Sequence, residues 1–240
     1  MPSKQNLCYE GKAKILYTTD DPTVLIQYFK DDATAFNAQK KGTIVNKGVL
    51  NNQISSRIFE LLAAAHIPTH YLGHLSEREM LVKRVEIIPV EFVFRNRVAG
   101  SLAKRLGLEE GTPLARPVFE LYYKDDALGD PFINDDHVLV FGWASAAELT
   151  RMRELGEAVN TYLRRFFEAR GIVLVDGKLE FGRDATGTVI LADEITPDGL
   201  RLWDAKTHEK LDKDRFRRDL GHIEEAYHRI FNLVCGDSTL

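Results

Sequence analysis

A chain of 240 residues with 44% apolar and 28% charged side chains has the length for a substantial buried core and the composition of an ordinary globular protein. Its 32 basic and 36 acidic residues give a formal charge of −4, which points away from nucleic acid or an anionic membrane surface as a partner. No apolar run approaches the ~20 residues of a membrane span, the first residues lack the apolar centre of a signal peptide, and Cys8 and Cys235, far apart and without zinc-type spacing of His or Cys, read as free thiols in a reducing cytoplasm.

Residues 7–18, LCYEGKAKILYT, read as strand, turn and strand about Glu10 and Gly11. Residues 23–29 add a third strand, so the chain opens as an antiparallel meander. Gly11 followed by Lys12 and Lys14 suits an ordinary hairpin with exposed lysines. It also suits a turn folded over nucleotide phosphates, because glycine lets backbone N–H groups come close. No GxxxxGK[ST] loop is present. Residues 29–37, FKDDATAFN, read as a polar loop. Ile44, Gly48, Ile54, Ile58, Leu61, Leu62 and Ala65 form the stripe of a long helix over 44–65, ended by Pro68. Residues 69–75 and 79–84 read as strands, and Lys83 in the second is an edge charge or points into a cleft. Glu86, Ile87, Ile88 and Pro89 mark the expected boundary between a domain of residues 1–87 and one of residues 88–240. That crossover is a plain linker, or an exposed backbone edge able to meet adenine.

In residues 89–101, PVEFVFRNRVAGS, Val90, Phe92 and Phe94 alternate with Glu91, Val93 and Arg95. The strand delivers Arg95, Asn96 and Arg97 beside a short helix that starts at Gly100 and Ser101 and closes at Gly107. Free N–H groups, a hydroxyl and two arginines make an anion cradle; the alternative is surface ion pairs. A strand over 117–124 precedes an acidic loop over 125–137, with Asp125, Asp126, Asp130, Asp135 and Asp136, which is a site lid or simply solvated. Ser145 and Glu148 form a capping box for a second long helix over 145–170, stopped by Gly171. Its buried stripe is Leu149, Met152, Leu155, Val159, Leu163 and Phe166.

Residues 174–193, LVDGKLEFGRDATGTVILAD, read as two or three short strands, with Asp176 and Gly177 in a hairpin turn. Alternation puts Leu179 and Phe181 on one face and Lys178 and Glu180 on the other, and Asp193 follows a strand over 188–192. Lys178, Glu180 and Asp193 together suit a metal–phosphate site, though paired charges on a solvated strand give the same pattern. Asp198 and Gly199 make a turn before Arg201, a further candidate anion ligand, and residues 213–234 form one or two helices. The sum fits an enzyme handling ATP and a second phosphorylated or carboxylated substrate. By analogy the fold class is α+β, a two-part ATP-grasp-like architecture: a small antiparallel β domain like a kinase N-lobe, then a larger α/β domain, with nucleotide in the cleft between them.

YEGKAKILY (9–17), FKDDATAFN (29–37), IIPVEFVFRNRVAGS (87–101), LVDGKLEFG (174–182) and LADEITPDGLRLWD (191–204) resemble the phosphoribosylaminoimidazole-succinocarboxamide synthase, or SAICAR synthetase, family over nearly the whole chain. The resemblance implies a ligase of purine biosynthesis. ATP, the carboxylated aminoimidazole ribotide CAIR and L-aspartate would give SAICAR, ADP and phosphate through an acyl phosphate. It implies ATP contacts at Gly11, Lys12, Lys14, Lys83, Glu86 and Ile88, and Mg²⁺ on Glu180 and Asp193. Lys178 would meet ATP or the transferring phosphoryl group. CAIR contacts would fall at Arg95, Ser101, Asp176 and Arg201, with Asp130 and Arg97 less secure and Lys40, Lys41 or Arg97 open for aspartate. A cytoplasmic homodimer is also implied. The competing readings are another ligase or small-molecule kinase on the same scaffold, a nucleotide-binding module without catalysis, and a structural α+β protein.

Overall fold

In the computed structural model, which describes residues 2–35 and 40–236, helices pack against two antiparallel sheets. β1 (Lys4–Glu10), β2 (Lys14–Thr19) and β3 (Val24–Phe29) form the expected meander. β4 (Asp32–Ala35) and β5 (Lys40–Thr43) pair as a ribbon where a loop was expected; residues 36 and 37 of that segment lie outside the described residues. α1 (Lys47–Ala64) starts at Lys47 rather than Ile44, because Asn46 takes a left-handed conformation (φ 61°) and Asp31 accepts the Gly48 N–H at 2.8 Å. β6 (Tyr71–Ser76) and β7 (Glu79–Lys83) complete a first sheet in the order β1-β2-β3-β7-β6.

The second sheet is built from β8 (Glu86–Ile87), β9 (Val90–Arg97), β10 (Pro113–Tyr123), β11 (Phe132–Ile133), β12 (Ile172–Arg183), β13 (Val189–Ala192) and β14 (Leu200–Asp204). α2 (Gly100–Leu106), α3 (Asp135–Val140), α4 (Ala146–Glu168), α5 (Asp214–Arg217) and α6 (Ile223–Cys235) connect or follow these strands. The acidic stretch over 125–137 is therefore not one loop, since it contains β11 and the start of α3. α6 returns to pack on α1. Among the described residues no helix is long and apolar enough to cross a membrane.

β12 is the centre of the molecule, and it corrects the expected hairpin. Asp176 and Gly177 do not reverse the chain; residues 172–183 run as a single strand. Its first half pairs with β9 and β14, its second half with β8 and β13. A register slip between Leu174 and Asp176 takes the place of the turn. Gly177 is required by packing: a Cβ there would lie 2.4 Å from Phe94 Cζ and 2.5 Å from Leu200 Cδ2. Because the strand is unbroken, Asp176, Lys178 and Glu180 share one face. Leu179 and Phe181 face the core, where Phe181 meets Phe92 edge to face at 5.7 Å. α4 covers them with Leu149, Met152, Leu155, Val159, Leu163 and Phe167; Phe167 rather than Phe166 is the fully buried end of the stripe.

The expected capping box is present. Glu148 N–H donates to Ser145 Oγ at 3.2 Å and Ser145 N–H to Glu148 Oε2 at 2.7 Å. Arg183 of β12 also donates to Glu148, and that bond leads the groups that pull its carboxyl down to about 2. A depressed acid stabilises the fold above its unfolded value of 4.5 and loses that contribution as pH falls through about 2. Glu148→Gln is thus expected to cost about 1 kcal/mol near neutral pH. In urea unfolding its deficit against wild type should shrink on acidification from neutrality towards the native value.

Candidate active site

One face of the second sheet is charged. Glu91, Val93 and Arg95 of β9, Asp176 and Lys178 of β12 and Arg201 of β14 border a cleft of about 380 Å³. Ser101, Tyr122, Asp130, Asp198, Lys213 and Arg217 close its sides, and Lys12 reaches over it. A second cavity of about 290 Å³ lies where β12 passes under the first sheet. Leu16, Leu25, Val82, Val85 and Ile87 give it apolar walls, and Lys14, Lys83, Lys124, Glu180 and Asp193 bring charge to it. Lys178 borders the charged cleft and Glu180 the apolar cavity, so two residues on one face of one strand form a common wall.

That wall is an ion cluster. Lys178 Nζ lies 2.6 Å from Glu180 Oε1, 3.1 Å from Glu91 Oε1 and 3.7 Å from Asp193 Oδ2. Lys124 Nζ donates to Glu180 Oε1 at 3.0 Å, and Lys14 pairs with both Asp193 and Glu194. Burial opposes the charge on Lys178, but Glu180, Glu91 and Glu194 outweigh it and hold the ammonium above the ordinary lysine value. Burial likewise opposes ionisation of Glu180, and Lys178, Lys124 and Lys14 hold it well below the usual carboxylate range. Both groups therefore stay charged across the neutral range. Asp193 adopts φ 66°, a left-handed conformation unfavourable for a residue with a Cβ, which turns its carboxylate out of β13 towards the cluster. Among the described residues no group of three or more His, Cys, Asp and Glu could hold a metal by itself. Glu180 and Asp193, two buried carboxylates set among Lys178, Lys124 and Lys14, supply oxygen donors that fit a hard divalent ion taking its remaining ligands from phosphate and water.

The cationic end differs from the sequence expectation. Arg95 is 3% exposed, and its guanidinium donates to Glu120 at 2.9 Å, Asp176 at 2.7 Å, Ser101 Oγ at 2.8 Å and Tyr122 OH at 3.2 Å. It braces the cleft from behind instead of presenting an open fork. Arg201 donates to both Asp176 oxygens, at 3.0 and 2.9 Å, and to Asp214 Oδ2 at 2.9 Å. Gly100, with φ 52°, allows this: a Cβ there would lie 2.6 Å from Arg201 Nη2. Lys213, just before α5, borders the cleft and makes no ion pair with a described residue. Burial lowers its pKa, Asp198 opposes that, and Arg217 and Lys47 add to the lowering. An ammonium so placed gains most from an incoming anion.

Of the other expected residues, Lys12 and Asp130 border the cleft and the rest do not. Arg97 donates to the Gly111 carbonyl at 3.0 Å and does not border the cleft. Ile88 is fully buried, its N–H bonded to the Phe181 carbonyl at 2.9 Å and its carbonyl accepting from Val90 at 2.7 Å; Val85 and Ile87 take its place at the cavity. The Glu86 carboxylate turns to Arg183 at 3.0 Å. Gly11 closes the β1–β2 turn with its N–H on the Lys14 carbonyl at 2.9 Å, and Lys12 bridges to Asp126 at 2.6 Å beyond β10. Asp130 borders the cleft and accepts the Asp125 N–H at 3.1 Å. Lys40 points to α5, donating to the Phe216 carbonyl at 2.6 Å, whereas Lys41 borders an open groove with Lys12 and Lys30. Sequence reasoning missed Lys124, Lys213, Arg217, Glu120 and Tyr122. Glu91 was findable, since its alternation with Arg95 puts it on the same strand face.

A family profile described as SAICAR synthetase matches residues 7–234. The chain belongs to the SAICAR synthetase family. It is 61% identical over 224 residues to the phosphoribosylaminoimidazole-succinocarboxamide synthase of Magnetococcus marinus, which covers 92% of this chain and 93% of that one. The crystal structure of the Ehrlichia chaffeensis synthase matches with a TM-score of 0.94 at 45% identity, over 95% of this chain and 98% of that one. A SAICAR synthetase in complex with ADP matches with a TM-score of 0.92 at 47% identity, over 97% of this chain and 99% of that one. The α+β, ATP-grasp-like architecture expected from the sequence is the SAICAR synthetase fold.

Proposed function

We propose that this chain is the ATP-dependent C–N ligase of de novo purine biosynthesis that joins CAIR and L-aspartate as SAICAR, releasing ADP and phosphate. The observation that carries the proposal is the common wall: an apolar-walled cavity of about 290 Å³, large enough for a base, and a cleft rich in cations meet across Lys178 and Glu180. The ADP complex of a relative 47% identical supports a nucleotide ligand, and the apolar walls favour its base in the second cavity. In this reading residues 1–87 cover the nucleotide and residues 88–240 carry the second substrate.

The nucleotide base lies among Leu16, Leu25, Val82, Val85 and Ile87, with its phosphates towards Lys14, Lys124 and Lys178 and the Gly11–Lys12 turn above them. Glu180 and Asp193 would hold Mg²⁺, which when bound neutralises phosphate charge. CAIR places its phosphate by Ser101, Arg201, Lys213 and Arg217 and its amino-imidazole by Asp176, while Arg95 positions Ser101 and Asp176. A carboxylate oxygen of CAIR attacks the γ-phosphorus, and the bond to the bridging oxygen breaks with its electron pair leaving on ADP. The aspartate amine then attacks the acyl carbon and loses a proton. The C–O bond breaks, and phosphate departs with the pair. Lys178 and Lys124, held as ammoniums, stabilise charge on the transferring group and do not act as bases. In the groove beside the cleft Lys12 pairs with Asp126 and Lys30 with Glu10 and Asp32, so Lys41 is the cation it offers to a carboxylate of aspartate. A cytoplasmic homodimer belongs to the same proposal. The free thiols Cys8 and Cys235 suit that compartment, and the apolar side chains exposed at Phe132, Val140 and Phe141, away from the long helices, suit self-association.

The test is ADP release with Mg²⁺-ATP, CAIR and L-aspartate against controls omitting each. Release requiring all three supports the proposal; release indifferent to CAIR, or none from folded protein, contradicts it. Within this scheme Lys213→Ala should raise KM for CAIR on the order of tenfold, the worth of a charge-assisted phosphate contact, and leave ADP affinity unchanged by calorimetry.

A further inference from the structure

Among the described residues, two buried side chains that border the apolar cavity carry polar atoms without hydrogen-bond partners. His70 is 3% exposed and neither ring nitrogen is bonded; Gln27 is 2% exposed and its amide nitrogen is unbonded. The His70 ring nitrogens and the Gln27 amide nitrogen lose their water on burial without a hydrogen bond to replace it, an arrangement that natural interiors disfavour unless water or a ligand completes it. Both are fixed in place. Gln27 follows Leu25 on the cavity face of β3 and lies opposite Leu16 of β2. The His70 N–H donates to the Leu191 carbonyl at 2.8 Å, its carbonyl accepts from Lys83 at 2.7 Å, and its ring stands edge-on to Phe59 at 5.3 Å.

We propose that Gln27 and His70 form the polar edge that recognises the adenine base. The inference rests on the nucleotide reading above and deepens it by naming the specificity residues. A glutamine amide offers an acceptor and a donor side by side, which match the 6-amino group of adenine and its neighbouring ring nitrogen. Burial, with Lys14 and Lys83 nearby, holds the imidazole neutral at a pKa of about 3, so it too offers one donor and one acceptor. Leu16, Leu25, Val82, Val85 and Ile87 are apolar and suit the base's faces, while Gln27 and His70 offer neutral donors and acceptors to its edge.

The test compares wild type, Gln27→Leu and His70→Leu in calorimetric titrations with ADP, with purine riboside diphosphate, which lacks the 6-amino group, and with inorganic tripolyphosphate. Each variant is expected to lose roughly three- to tenfold in ADP affinity, the worth of one neutral hydrogen bond, to lose less for the purine analogue, and to bind tripolyphosphate as wild type does. Variants that bind ADP unchanged, or that lose ADP and tripolyphosphate equally, overturn the inference. Wild type that binds neither nucleotide nor tripolyphosphate overturns the nucleotide reading and this inference with it. Should the variants not fold, nitrogen-15 spectra of wild type decide. The Gln27 amide and His70 ring signals should move with ADP and not with tripolyphosphate; signals that ADP leaves in place overturn the inference.

Discussion

Glu180→Gln is expected to reduce turnover on the order of a hundred- to a thousandfold, the usual cost of removing one preorganised charge from a reacting centre. Glu180 is 2% exposed and holds Lys178 at 2.6 Å and Lys124 at 3.0 Å. Its neutral isostere keeps the volume and removes the counter-charge, so the two ammoniums repel and lose the geometry that aims them at phosphate. It also removes one of the two carboxylates proposed for Mg²⁺. The fold should survive, because Lys178 keeps Glu91 at 3.1 Å and Lys124, partly exposed, can move into water. The variant should therefore melt near wild type, bind Mg²⁺-ADP more weakly and turn over hardly at all. Full activity in a folded Glu180→Gln protein would remove the residue from the chemistry.

Arg95→Ala is expected to act first on stability. Removing one partner of a buried ion network leaves its counter-ions uncompensated and typically costs about 3–5 kcal/mol. Here Glu120 and Asp176, 5% and 3% exposed, would lose their shared cation, although Arg105 still reaches Glu120 and Arg201 still reaches Asp176. The loss should thus fall at the lower end, roughly 3 kcal/mol in urea unfolding. CAIR binding should suffer as well, because Ser101 and Asp176 are no longer braced, while ADP affinity should hold. Arg95→Lys should fall between the two, since an ammonium keeps the charge but cannot span the four partners of the guanidinium. An Arg95→Ala protein as stable as wild type would contradict the bracing role and return Arg95 to direct anion binding.

What could be read from the sequence was whatever local chemistry decides. Ser145 and Glu148 announced α4, Gly107 and Gly171 ended helices with positive φ, and alternation along β9 separated Phe92 and Phe94 from Arg95. The same strand logic grouped Lys178 with Glu180. What could not be read was decided by distant partners. Asp176 and Gly177 carry a local turn signal, but four strands from elsewhere in the chain pair along β12 and hold it straight. Arg95 looked like an anion ligand because its counter-ions Glu120 and Asp176 stand 25 and 81 residues away. Lys213 reaches the cleft only through the packing of the segment before α5. Gln27 and His70 are unremarkable in sequence and become informative only once polar atoms of their side chains are seen to lack partners among the described residues.

The central claim is that the common wall on β12 lets a carboxylate in one cavity receive a phosphoryl group from a nucleotide in the other. The most direct measurement uses CAIR carrying oxygen-18 in its carboxylate, turned over with Mg²⁺-ATP and L-aspartate, with the released phosphate weighed by mass spectrometry. One labelled oxygen is expected in each phosphate, carried over when the acyl phosphate is cleaved. Unlabelled phosphate alongside full conversion to the amide would contradict it.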